Sequence, residues 1–325
     1  MEKRYGWTYI GEKDTGIGDE KVLIKYQISG DKIIESTKER SPILVYINPD
    51  EKEKKLLIDD YKIDEHTLHS ALDPNELAWL EFEPNHLALI FKRPKKYSGT
   101  DQLLFKAGTI GMFFFKDLLV IVLGEELNLF DGKLFTKVTS LTEVMLKLIY
   151  RSIFHFLDHL KVINMISDEL EQKINRAMEN KYLINLFTLE KSLVYYLDAI
   201  NSNGAVIEKL KHNAKRIKLS RSHLEMIDDI IVENNQCGKQ AEIYSDILAS
   251  LMDARASIVS NNLNILIKIL NIITIAIMVP TLVVSIFSMN VRLPFQDFTH
   301  AFWIILGVAS VSMAGVLLIW RYLKL

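Results

Sequence analysis

The chain has 325 residues, with 39 Lys and Arg against 41 Asp and Glu and a formal net charge of −2. Charge this close to balance leaves no electrostatic footprint for nucleic acid. An apolar fraction of 49 % with a mean hydropathy of +0.12 excludes a disordered chain, and a single cysteine, Cys237, excludes an internal disulfide framework and a multi-cysteine zinc site.

The first residues, MEKRYGWTYIGEKD, hold no apolar run, so no cleavable signal peptide is expected. Five of the seven prolines lie before residue 100, and ten of the fourteen glycines at or before Gly132. This turn-rich part carries strand-like runs at 21–29, 43–47, 77–82, 87–91 and 103–106. The runs 109–115 and 118–123 flank Lys116-Asp117 and predict a hairpin, and a helix is expected over 64–72, ended by Asp73-Pro74. Strands mixed with short helices predict an α/β or α+β domain over 1–138. From 133 to 279 there is no proline, and the only glycines are Gly204 and Gly238. Proline costs a helix interior about 3 kcal/mol and glycine about 1, so this part predicts long helices. Segments 140–180 and 183–215 would form a helical hairpin (139–220), and a third helix would start at Ser222 as a stalk (221–268).

Residues 269–291 and 301–320 contain no charged side chain. At about 1.5 Å per residue, each spans a hydrocarbon core of roughly 30 Å. The link, 292–300, is short and holds Pro294, so the two form a transmembrane hairpin. Lys268, Arg321 and Lys324 flank one side, the last two in a basic end (321–325). That bias predicts cytoplasmic termini and a multi-pass protein of the cell membrane.

Along the third helix, Asp246, Ser250, Asp253, Ser257, Ser260, Asn264, Ile267, Asn271, Thr274, Met278, Thr281, Ser285 and Ser288 follow at alternating intervals of four and three. The spacing averages 3.5, so they form one seam of a slightly supercoiled helix. Eleven of the thirteen are polar, and the seam continues through the membrane segment. Lipid offers such groups no partner, so the seam faces protein or water. Two readings stand. One is close helix packing through small and hydroxyl residues. The other is a pore, which needs several copies in a closed ring. In a pore, Ile267, Leu270 and Met278 would form collars that gate by dewetting.

The helix ends in Pro280-Thr281-Leu282-Val283-Val284-Ser285-Ile286-Phe287-Ser288-Met289-Asn290, followed by Pro294. This resembles the CorA family of divalent-cation transporters, whose signature is an aromatic residue and Gly-Met-Asn closing the first of two C-terminal membrane helices. The segment from Leu251-Met252-Asp253 through Ser257, Ser260-Asn261 and Lys268 resembles it as well, as does the whole layout. The resemblance implies a homopentamer with a funnel-shaped cytoplasmic region and Mg²⁺ uptake driven by the membrane potential. The ion is cargo, and no resident cofactor is implied. Ser288, Met289 and Asn290 then form the selectivity mouth, where amide oxygens accept hydrogen bonds from the waters Mg²⁺ sheds reluctantly. Asp253, Asn264 and Thr281 match pore-lining positions, and the seam adds Asn271, Thr274 and Ser285. Ile267, Leu270 and Met278 match the constriction, and Lys268, Arg321 and Lys324 the basic collar.

Three departures stand out. Ser288 replaces the signature glycine. The link places Arg292 near the mouth, with Asp297 as its acid. An inhibitory cation site would join Asp228 and Asp229 on the stalk to an acidic pair on the next subunit, yet His69-Ser70 stands there, leaving Asp73 and Glu76 as substitutes. Ion choice is therefore open to Co²⁺, Ni²⁺ or Zn²⁺, and direction to export. A membrane-anchored coiled-coil scaffold is the non-transport alternative.

Other signals are plainer. His155 and His159, four apart, lack the glutamate of a zinc-protease motif and read as a face of a hairpin helix. The basic run Lys209, Lys211, Lys215, Arg216, Lys218 and Arg221 reads as a solvated helix end. No phosphate loop or nucleophile elbow is present, and no enzyme is expected.

Overall fold

The computed structural model describes residues 22–38, 40–97, 103–176, 180–289 and 299–323. The chain divides into two units, Met1–Ala249 and Ser250–Leu325, with the division falling inside one long helix.

In the first unit, strand β1 (Val22–Ser29) turns through Gly30 and Asp31 into β2 (Lys32–Glu35). Both turn residues have positive φ, 56° and 60°, the backbone that a two-residue hairpin turn requires. After β3 (Ile43–Ile47) comes α1 (Glu51–Asp59), started by a capping box. The Glu53 amide donates to Asp50 Oδ1 at 2.7 Å, and the Asp50 amide to Glu53 Oε2 at 2.9 Å. In α2 (Glu65–Leu72), Asp64 accepts from the Thr67 amide, and the chain leaves extended at Asp73, as Asp73-Pro74 predicts. Strands β4 (Trp79–Phe82), β5 (Leu87–Pro94), β6 (Ala107–Phe114) and β7 (Leu119–Leu123) complete the set.

The seven strands form one sheet in the order β2-β1-β3-β7-β6-β5-β4, antiparallel except for the parallel pair β3–β7. Every residue of β3, β5 and β7 is buried, because helices cover both faces. Alternation sends Leu44, Tyr46, Ala88, Ile90, Phe113, Val120 and Val122 to one face, where Leu57 of α1 and Leu68 and Ala71 of α2 complete a core cluster. Full burial of each such branched side chain contributes about 1.5–3 kcal/mol. Gly111 of β6 is required there. A Cβ at this position would lie 2.5 Å from the Cβ of Ala71, so its absence lets α2 rest directly on the strand.

The run 103–106, expected as a strand, is not one. Leu103 has a φ of 68°, outside the extended region. The Phe105 amide donates to Ser192 Oγ at 3.0 Å, and the Phe105 ring stacks on Tyr97. The strand that follows begins at Ala107 instead. The helix α1 and the strand β2 have no counterpart among the expected elements. The hairpin of β6 and β7 stands as expected, closed by the Phe115 amide on Leu118 O at 2.8 Å.

Helix α3 (Leu141–Arg176) and α4 (Asn180–His212) form the hairpin. The short α5 (Ala214–Ile217) ends at Lys218 in the left-handed conformation. Ser220 Oγ then accepts from the His223 amide at 3.2 Å, starting α6 (Arg221–Phe287). Where β4 has ended, the Asn203 amide of α4 substitutes for a neighbouring strand, accepting from Lys92 N at 2.8 Å and donating to Lys92 O at 2.9 Å. The second unit holds the rest of α6 and α7 (Ala301–Leu323).

Candidate functional site

The α6 seam is helical throughout its expected course to Ser285, and Ser288 follows just past the helix end. Asp253, Asn264, Ile267, Asn271, Thr274, Met278, Thr281, Ser285 and Ser288 are all exposed in the single chain, as are Lys268 and Arg321. Leu270 is 62 % and Met278 63 % exposed, far from the burial that an apolar side chain finds in a finished protein. Asn290, the link through Asp297 and Lys324 lie outside the described residues.

Three of the seam hydroxyls are satisfied by backbone carbonyls of the preceding turn. Thr274 donates to Leu270 O at 2.8 Å, Thr281 to Ile277 O at 2.7 Å and Ser288 to Ser285 O at 2.9 Å. A carbonyl can only accept, so each hydroxyl proton is committed and the oxygen is left to accept. Pro280 inside α6 supplies no amide for the Ala276 carbonyl. The outer part of the seam also borders α7. Thr281, Ser285 and Ser288 line a groove of about 500 Å³ with Ala309, Ser310 and Met313. These three residues thus belong both to the seam and to the groove between α6 and α7.

Among the described residues, no three His, Cys, Asp or Glu side chains converge as a metal centre within one chain. Asp228 is ion-paired with Lys211 at 2.8 Å. Asp229 and Glu233 act on Tyr150 of α3, whose hydroxyl is pushed above its usual range first by burial and then by these two charges. Asp73 Oδ1 accepts from the Asn75 amide at 2.8 Å, and Ser70 Oγ donates to Glu76 Oε2 at 3.3 Å.

Of the two histidines, His155 is exposed beside Arg151 and His159 belongs to packing. His159 Nδ1 lies 2.6 Å from the Tyr196 hydroxyl, with Phe105 edge-on to its ring, and burial pushes the imidazole down to about 4. The basic run clamps structure. Lys209 Nζ donates to Leu80 O at 2.6 Å on the edge strand β4, and the Arg216 guanidinium lies 4.0 Å from the centre of the Phe82 ring. Cys237 is buried, and desolvation raises its thiol to about 12, which leaves it unreactive at neutral pH.

Each of the helices holding the two uncharged runs contains an 18-residue window of mean hydropathy 2.4, of which only 6 % is buried within the chain. A sheet-and-helix body followed by two helices long and apolar enough to cross a membrane is the layout of a two-span membrane protein. Residues 43–322 match the family described as CorA-like Mg²⁺ transporter protein, and the chain belongs to that family. Membership makes it a divalent-cation transporter and not an enzyme.

The Cobalt/magnesium transport protein CorA of Methanocaldococcus jannaschii is 22 % identical over 269 residues, covering 78 % of this chain and 81 % of that protein. The complete structure of the CorA magnesium transporter from the same organism superposes with a TM-score of 0.79 at 19 % identity, covering 92 % of this chain and 97 % of that one. The full-length CmaX protein follows with a TM-score of 0.70 at 16 % identity, covering 95 % and 99 %. The cytoplasmic domain of ZntB from Vibrio parahaemolyticus gives 0.58 at 15 %, covering 74 % and 98 %. At such identities the structural likenesses establish the fold.

Proposed function

We propose that identical copies of this chain close into a ring, five as the family resemblance implies, whose α6 seams enclose a path for hydrated divalent cations. Mg²⁺ enters through it down the membrane potential, into the compartment that holds both termini and the α/β body, the cytoplasm. The observation that carries this reading is the polar seam running through a 23-residue segment free of charged side chains. Neutral oxygens that only accept hydrogen bonds suit the outward O–H groups of a hydrated cation and bind it weakly enough to release it.

In this account Ser288, Met289 and Asn290 form the mouth. Asp253, Asn264, Asn271 and Thr274 line the path, while Thr281 and Ser285 stand where it meets the groove to α7. Ile267, Leu270 and Met278 close it by dewetting. Lys268, Arg321 and Lys324 collar its inner end, and Asp228 and Asp229 sense cytoplasmic cation. The relative named for cobalt and magnesium transport supports Mg²⁺ and Co²⁺ as cargo. Flux of Mg²⁺, Co²⁺, Ni²⁺ and Zn²⁺ into proteoliposomes, measured side by side, tests it. Mg²⁺ and Co²⁺ should move faster with an inside-negative potential. A folded oligomer that moves none of the four would leave the scaffold reading in its place.

A further inference from the structure

Lys92 lies in β5 and is only 4 % exposed. Lysine is almost never taken this far from water unless its charge is met. Its Nζ donates to Pro74 O and to Glu76 O, each at 2.7 Å. Burial lowers its pKa, and Asp198, Asp73 and Glu76 oppose that shift in favour of the charged form. The backbone of Lys92 is fixed from the other side by Asn203. One oxygen of each nearby carboxylate is engaged locally, Asp73 Oδ1 by the Asn75 amide and Glu76 Oε2 by the Ser70 hydroxyl.

Two carbonyl oxygens beside carboxylates are the kind of donor set that hard cations take. Here an ammonium with three donors holds the carbonyls. We propose that Lys92 is the resident cation of the 73–76 turn. It occupies the oxygens that a divalent cation would need there, and the turn keeps its shape at any cytoplasmic Mg²⁺ concentration. The consequence for regulation, which rests on the transport reading above, is that cation sensing falls to Asp228 and Asp229 on α6 and not to Asp73. An ordinary core lysine would leave no cation-binding turn behind on removal, and this separates the two cases.

The test is thermal unfolding of the full chain in detergent micelles, titrated with Mg²⁺ and separately with Ca²⁺ at constant ionic strength. In the otherwise unchanged protein, Asp73→Asn should leave the midpoint of any Mg²⁺ response within about twofold, because the turn does not take the ion. Lys92→Met should lower the melting temperature, and millimolar Ca²⁺ or Mg²⁺ should restore part of that loss. Adding Glu76→Gln to Lys92→Met should abolish the restoration. A shift of the midpoint by more than about threefold in Asp73→Asn overturns the proposal, since it would show the turn already binding the ion. So does a folded Lys92→Met protein that gains nothing from cation. If Lys92→Met does not fold, the Asp73→Asn titration decides alone. None of these readouts uses flux, so the outcome is separable from that of the transport experiment.

Discussion

Leu123 in β7 has no exposed surface, whereas Leu270 in α6 is 62 % exposed. The two leucines stand for two regions under opposite rules. In the α/β body, strands β3, β5 and β7 are buried at every position, and backbone groups that the sheet leaves unpaired are met by side chains such as Asn203. In the membrane unit most apolar side chains are exposed, and the polar side chains of α6 between residues 269 and 288 lie along one seam. The centre of the sheet is therefore buried within one chain. The membrane unit leaves its apolar surface to be covered from outside the chain. Mutations in the body should register as lost stability and those in the seam as altered flux, and the predictions below test that division.

The largest effect is expected at the mouth. Asn290→Ala should abolish Mg²⁺ uptake into proteoliposomes while the oligomer keeps its elution volume on size exclusion. Normal flux in that variant removes the mouth assignment.

Next is the body. Gly111→Ala places a Cβ 2.5 Å from that of Ala71 and should cost about 1–3 kcal/mol by overpacking, with the membrane spans untouched. Asn203→Ala leaves the buried amide and carbonyl of Lys92 without partners, at about 1–3 kcal/mol for each. Denaturant titration of either variant measures the loss. Equal stability to the parent would show that α2 or α4 relaxes away from the sheet.

A smaller effect concerns pH. His159 is held neutral in the fold, down to about 4 against an ordinary 6.5. Below 6.5 the unfolded chain binds the extra proton, so stability is full above that value and falls as pH drops toward 4, by roughly 1–3 kcal/mol. His159→Phe should flatten this part of the acid unfolding curve.

The subtlest prediction concerns the gate. Met278→Ser wets the constriction and should raise flux at high internal Mg²⁺. An unchanged low flux there places the gate elsewhere or leaves Asp229 in control.

The two regions also differ in how plainly the chain announces them. The spans were legible because an uncharged run of that length has few other uses, and the seam because its spacing holds over thirteen residues. The β6–β7 hairpin and the end of α2 at Asp73-Pro74 were legible from turn chemistry. Local signals for β2 and α1 stand in the sequence, Gly30-Asp31 as a hairpin turn and Asp50 with Glu53 as a capping box. Leu103–Lys106 misled because its apolar residues serve a loop pinned by Ser192, some 87 positions further along. The cation-bearing turn had no local signal. Lys92 reads as one charge at the end of a strand, and only tertiary structure brings it to Pro74 and Glu76. The sharing of Thr281 and Ser285 between seam and groove was likewise invisible until α7 was placed beside α6.

The central claim is that the α6 seam borders water inside the membrane. Single cysteines placed from 269 to 288, in proteoliposomes, test it most directly with a hydrophilic thiol reagent. The native Cys237 is buried with its thiol raised to about 12, so it stays silent. The account predicts reaction at Asn271, Thr274, Met278 and Thr281, and protection at Ile273, Ile275 and Ile277. Silence at the seam positions, or reaction without that periodicity, would contradict it.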